Sequence, residues 1–492
     1  MTADAGATET TRRGNATAIV LAMTSVAVAI AICSAFLVIG ARDGFWRSLL
    51  LLWLVAIGGA LLVFRTASCT GDDRVLNLVH VHALKLVLGF AVLHFGWIPS
   101  LDQTSPMYGY DPQRYYFESE ELRASGFNTA ALPSLKYTAV LYFYGGLYGI
   151  FGFNPYAPAL FNSLVALWGM LAVLRAAYAV KTKRSPGDWM LGLTLLIPEI
   201  IWFDQLVSRE TLNTALMSVG VLGSTSYLLP KDVVKRLKIV GFASAIPSLL
   251  FLGILRTSAL AASMAAIGAI YFLHRMTMRQ RLLAVAVLVI AGAALAAAPS
   301  IVLRLGGYEL TYLEELNPSY RAQTALNDPQ YIWGENSVGR RLVGDTPAKL
   351  VFFAPIRMLS YIILPLPIAR PTLEGLRAGS WWDWQGVLMD ASSIIYIFIV
   401  PWVLALAIEV VRKRSIENAT MFLVAFGVIY SGIVIGNQIL HERYRVMSVP
   451  LLAACAWLGR DASRSSRRRA LALWIFILAG AVAGYAAMKV MA

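Results

Sequence analysis

Asp111, Arg114, Tyr115, Glu118 and Glu121 fall within one short stretch, YGYDPQRYYFESEELRASGF at Tyr108–Phe127, which carries six charged side chains amid apolar sequence. Asp111-Pro112 reads as a helix start, with aspartate at the N-cap and proline in the first turn, and Gly126 reads as its stop. On such a helix Arg114, Glu118 and Glu121 share a face at spacings of four and three, an ion-pair row. A carboxylate held near the tip of a membrane span can take the proton of an acceptor hydroxyl. If that hydroxyl attacks a sugar carbon bonded to phosphate, the reaction needs a base on one side and cations for the departing phosphate on the other. Asp111 is the candidate base, with Glu118 and Glu121 as substitutes, and Arg114 and Tyr115 fall on the substrate side. The plainer alternative is that Asp111 only caps a helix lying on the membrane surface; spacing leaves both open.

Cations come from two further clusters. HERYR places His441, Arg443, Tyr444 and Arg445 in a short turn between apolar runs. The planar fork of arginine suits phosphate, although these arginines could equally pair with Glu442 or anchor at lipid head groups. The segment is not HExxH and offers no zinc site of that type. The stretch PEIIWFDQLVSRETLNTAL holds Glu199, Asp204, Arg209 and Glu210 and is expected to form an outer hairpin. Ionisable groups at a membrane boundary are functional candidates, and Asp204 with Arg209 could also satisfy each other. Arg256, at the next outer turn, either joins this cationic group or snorkels to the interface.

Other polar residues carry less. His82 and Lys85 share a face of the third span with no carboxylate partner in that span, which favours a helix-interface role over a proton relay. Trp381, Trp382 and Trp384 either stack on sugar rings or mark the membrane interface. There is no Walker lysine loop, dinucleotide fingerprint or sustained repeat, so nucleotide-driven transport has no support. Three cysteines, Cys33 and Cys455 among them inside apolar runs, make neither a disulfide framework nor a CxxC site. No cofactor is indicated, and the need for a divalent cation stays open.

The elements that must position these groups are membrane helices. Of 492 residues 58% are hydrophobic and 14% charged, which excludes an ordinary globular composition and makes this an all-α polytopic membrane protein. Runs such as Ile19–Gly40, Leu49–Phe64, Leu282–Val302 and Leu471–Met488 are long enough to cross a core of roughly 30 Å. The net charge of +14 resides in short loops and reads as a topology signal, not a nucleic-acid face. Arg12 and Arg13 precede a run without a clear cleavage site, expected to be a retained first span.

Placing the basic loops Arg65–Arg74, Lys181–Arg184, Lys231–Lys238, Arg275–Arg281, Arg412–Arg414 and Arg460–Arg469 on the cytoplasmic side requires two apolar segments not to cross. Tyr137–Phe153, rich in Tyr and Gly, and Lys349–Pro367, with three prolines and Arg357, fit the interface. The result is about thirteen spans, N-terminus inside and C-terminus outside. Two large outer loops, residues 99–156 and 304–385, then contain the interfacial helices. Their length and aromatic content favour function over mere connection.

An acid in the first large outer loop, an interfacial stretch leading into FGFNPYAPALFNSL, an outer SRETL turn and a late RYRxxxxP together resemble the GT-C superfamily. The match covers Pro99–Leu229 and Thr420–Gly459. It implies an integral-membrane glycosyltransferase of the protein-mannosyltransferase or aminoarabinose-transferase type, using a polyprenyl-phosphate sugar and a glycan, lipid or protein acceptor. It implies a catalytic base at Asp111 and lipid-phosphate contacts at Arg443 and Arg445. A composition rich in Ala, Val and Arg suits a bacterial cytoplasmic membrane, with the site on its outer face. The runner-up is a polysaccharide repeat-unit polymerase or ligase with a polyprenyl-diphosphate donor. A secondary transporter or lipid scramblase is the reading from a different class; it would bury charges near the midplane, whereas these are expected to gather on the outer side.

Overall fold

A computed structural model describes residues 3–40, 44–101, 111–131, 138–181, 187–229, 235–275, 303–305, 308–310, 347–363, 373–378, 381–413, 419–436 and 442–490. Two compact units are present: Met1–Ala215 with Ile368–Ser392, and Leu216–Pro367 with Ser393–Ala492. Among the described residues six helices are long and apolar enough to cross a membrane: Ala16–Gly40, Phe45–Thr70, Asp73–Trp97, Tyr156–Val180, Lys238–Leu255 and Asp383–Arg412. The protein is therefore a helical membrane protein; the expected count of about thirteen spans is not reached among the described residues. The expected span Leu282–Val302 and most of the second outer loop lie outside them. At the start of that loop stands an antiparallel ribbon, β1 (Leu303–Leu305) with β2 (Tyr308–Leu310), and not a helix.

The first unit is built on α1 (Ala3–Gly40), α2 (Phe45–Thr70), α3 (Asn77–Val92) and α7 (Tyr156–Val180), which pack side by side. A π-helical turn, Leu93–Trp97, follows α3 and buries Trp97 before the single turn α4 (Ile98–Leu101). Asn154 starts α7 by accepting hydrogen bonds from the Tyr156 and Ala157 backbone N–H groups, both at 3.0 Å.

Side-chain contacts fix which loops share an end. At one end the Tyr156 hydroxyl donates to Phe36 O at 3.3 Å, and its ring lies 5.3 Å from that of Phe90. At the other, Arg175 bonds Thr66 Oγ1, the Tyr178 hydroxyl donates to Asp72 at 3.2 Å, and Lys181 pairs with Asp188 at 2.7 Å. The basic stretch Arg65–Arg74 and Lys181 thus belong to the end opposite the loop of residues 99–156.

That loop carries α5 (Asp111–Ala124) and α6 (Thr138–Phe151). As expected, α5 begins at Asp111 and stops at Gly126. Gly126 (φ 69°) and Phe127 (φ 65°) turn left-handed, and their N–H groups close on Arg123 O at 3.1 Å and Leu122 O at 2.8 Å. At 14 residues α6 reaches about 21 Å, shorter than the roughly 30 Å hydrocarbon core. It packs against α5, and Tyr116, Tyr148 and Phe153 form the aromatic contact between them.

The remaining helices of the first unit are α8 (Pro198–Asp204), the first turn and a half of α9 (Glu210–Ser224), the single turn α13 (Leu373–Arg377) and the start of α14 (Trp381–Lys413). The second unit contains α10 (Lys235–Leu255), α11 (Thr257–Arg275), α12 (Pro347–Ile363), α15 (Thr420–Gly436), α16 (Val449–Gly459) and α17 (Arg464–Val490). There α15 packs on α11, α12 and α16.

The α5–α6 contact depends on Gly145, where an added Cβ would stand 2.9 Å from Ser119 O and 3.3 Å from the Phe127 ring. We expect Gly145→Ala to cost about 1–3 kcal/mol through overpacking. Faster tryptic cleavage at Arg123 and a lower unfolding temperature in detergent would register the loosened α5.

Candidate functional site

The α5 carboxylates divide by environment. Glu118 is buried, with Oε1 3.4 Å from Arg114 Nε, so this part of the expected ion-pair row is present. Glu121 is exposed, and the next ion pair along the helix is instead Glu120–Arg123, at 2.6 Å. Asp111 is half-buried at the first turn. Burial raises the Glu118 pKa above its ordinary 4.5; Arg114 opposes this, while the charges of Glu121 and Asp111 add to it. The three acids are therefore within electrostatic reach of one another at the start and middle of α5. Tyr115, expected on the substrate side, is buried at 1% exposure, so its ring belongs to the interior.

A second polar cluster lies inside the first unit. The chain leaves helix at Gln205 and resumes at Glu210, so PEIIWFDQLVSRETL contains a buried break between two helices. Asp204 does not depend on Arg209: it forms an ion pair with Lys85 of α3 and accepts from Thr211 Oγ1 at 2.7 Å. Lys85 Nζ also donates to Ser163 O at 3.4 Å. The non-helical carbonyls are met by neighbours. Asn162 Nδ2 donates to Leu206 O at 2.8 Å, and the Tyr144 hydroxyl lies 2.6 Å from Ser208 O and 3.0 Å from Asn162 Oδ1. Arg209 and Glu210 are buried beside this break.

Lys85 sits at the middle of the Asp73–Trp97 span, so the charges do not all gather at the outer end, as sequence reasoning expected. The pairing was missed because its partner lies on another helix far along the chain. The signal was nevertheless present: a lysine and an aspartate, each inside an apolar run, need each other. The Trp384 indole is half-buried and donates to Leu376 O at 3.1 Å. The side chains of Trp381 and Trp382 lie outside the described residues.

In the second unit Arg445 is buried, donates to Tyr361 O and Ser393 Oγ, each at 3.1 Å, and lies 4.9 Å above the Tyr396 ring. Its guanidinium thus has partners within the unit. Arg256 is buried at the α10–α11 turn, 3.3 Å from Ser258 Oγ, which replaces the snorkelling expectation. His441 and the side chains of Arg443 and Tyr444 lie outside the described residues. Among the described residues no three His, Cys, Asp or Glu side chains gather as metal ligands. No family model, curated protein or solved structure matches the chain.

Two outcomes are expected. Lys85→Met leaves Asp204 buried without its counter-ion and should cost about 3–5 kcal/mol, while Lys85→Met/Asp204→Leu should recover most of it. Thermal unfolding in detergent reads both. For Glu118, a folded pKa above the unfolded value contributes stability below about pH 4.5 that is lost as pH rises through the folded pKa. Glu118→Gln should flatten that decline in a pH series of unfolding temperatures.

Proposed function

We propose that the protein is an integral-membrane glycosyltransferase that moves a sugar from a polyprenyl-phosphate donor to a hydroxyl of a glycan, lipid or protein, with the α5 end of the first unit as the acceptor-activating site. The observation that carries this reading is the position of α5, an acidic helix docked at the end of the unit opposite the basic turns. If the basic turns face the cytoplasm of a bacterial inner membrane, α5 faces away from it. Sugar nucleotides do not reach that side, so a membrane-soluble carrier has to deliver the sugar.

In this reading Asp111 takes the acceptor proton. The acceptor oxygen forms its bond to the anomeric carbon as the bond from that carbon to the phosphate oxygen breaks, and the electron pair leaves with the polyprenyl phosphate. Arg114, with 28% of its side chain exposed while paired to Glu118, meets the developing phosphate charge. Glu118 is a positioning residue that holds Arg114. Arg209 is the further candidate cation of this unit. A polyprenyl-diphosphate donor, as used by a repeat-unit polymerase or ligase, would call on the same groups.

Lys85–Asp204 favours a second reading, secondary transport, because a buried ion pair at mid-span is characteristic of solute or proton pathways. Gln205 Nε2 and Ser208 Oγ nearby are buried polar atoms without a hydrogen-bond partner, available to a polar solute. The two readings separate on one preparation. Purified protein offered a panel of polyprenyl-phosphate and polyprenyl-diphosphate sugars is expected to release or transfer sugar. Asp111→Asn should lose at least about a hundredfold in rate while still binding donor lipid. Full transfer by a folded Asp111→Asn protein would remove Asp111 as the base. Solute accumulation in vesicles without any covalent product would favour transport.

A further inference from the structure

The last helix, α17, joins a cationic and an apolar feature on one face. Arg464, Arg467 and Arg468 follow one another at helical spacing, and Leu471, Ile475 and Val482 continue the same stripe toward the C-terminal end. All six side chains are exposed, the three apolar ones at 51, 58 and 68%. The opposite face is the docked one. There Ser466 Oγ donates to Glu409 at 2.6 Å, Ala470 is buried, and the Trp474 indole donates to Ile397 O at 2.9 Å, which holds the helix against α14.

Arg412, Arg460 and Arg469 are exposed around the same end, and Arg412 donates to Ser463 Oγ at 3.2 Å. The described acids there are Glu409, which accepts from the Ser463 and Ser466 hydroxyls, and exposed Asp461. Arginine therefore predominates strongly. The helix adds to the excess, because its N-terminal end is partially positive and is the unfavourable end for cations. A bound anion relieves both effects. The stripe below identifies the kind of anion: from Arg468 to Val482 the helix rises about 21 Å, more than the roughly 15 Å of one leaflet of hydrocarbon. A phosphate with acyl chains attached matches the whole face, whereas a free phosphate uses only its first turns.

We propose that Arg464, Arg467 and Arg468 bind the phosphate of an anionic phospholipid whose acyl chains run along Leu471, Ile475 and Val482. This site is separate from the α5 chemistry and stands whether or not that reading holds. The test uses full-length, delipidated protein in detergent, titrated with phosphatidylglycerol, phosphatidylcholine or inorganic phosphate, with bound lipid counted by native mass spectrometry. Phosphatidylglycerol should be retained in preference to phosphatidylcholine. Arg464→Gln/Arg467→Gln/Arg468→Gln should weaken phosphatidylglycerol by about a hundredfold without changing the lipid-free unfolding temperature. Should the triple variant fail to fold, Arg467→Gln and Arg468→Gln singly, each about fivefold weaker, carry the same test. Equal binding of the two lipids, or undiminished phosphatidylglycerol binding by folded variants, overturns the proposal. Displacement of phosphatidylglycerol by inorganic phosphate at comparable concentration would assign a free-anion site and overturn the lipid.

Discussion

An ammonium group in the middle of a membrane-length helix is the constraint on which the first unit depends. Uncompensated, Lys85 would cost several kcal/mol in a low-dielectric interior, and Asp204 compensates it by ion pairing. To bring Asp204 there, α8 has to end inside the protein. Between Gln205 and Arg209 the regular helical ladder is then interrupted in a buried place, and the carbonyls it leaves need other donors. Asn162 supplies one for Leu206 and Tyr144 supplies one for Ser208. A single buried charge thus accounts for a helix break, for its neighbour Thr211 and for two polar side chains on α6 and α7.

The same network connects the interior to the surface helix. Tyr144 lies on α6, and the next residue, Gly145, faces the α5 backbone at Ser119 with no room for a side chain. The acidic helix therefore rests on a support that is itself hydrogen-bonded to the break beside Asp204. In the second unit Arg445 follows the same rule by different means. Its guanidinium meets a backbone carbonyl, a hydroxyl and an aromatic ring, distributing its charge over dipoles and a π face.

What was legible in the sequence follows from what bilayers and helix ends demand locally. The apolar runs of α1, α2, α3 and α7 were readable from length, and the limits of α5 from Asp111-Pro112 and Gly126. The short α6 was readable from its Tyr and Gly content. Pairings across the fold were not. Lys85 and Asp204 are far apart in the chain, and each suggested a nearer partner or none. Glu118 and Glu121 are both spaced to face Arg114, yet only the docking of α5 on α6 makes one buried and leaves the other exposed. In membrane helices the apolar pattern runs around much of the circumference, so periodicity that would mark the inner face of a soluble helix is weak here.

The π-helical turn at Leu93–Trp97 has an evolutionary consequence. Such a turn absorbs one residue more than the α-helical turn it replaces. Deleting a single position there would restore an unbroken α-helix and leave the residues on either side close to their present places. The same deletion inside α3 would turn everything beyond it by about 100° and swing buried Trp97 off its face. Among diverging copies of this gene, a one-residue gap should therefore be tolerated between Leu93 and Trp97 and excluded from the α3 stretch before it.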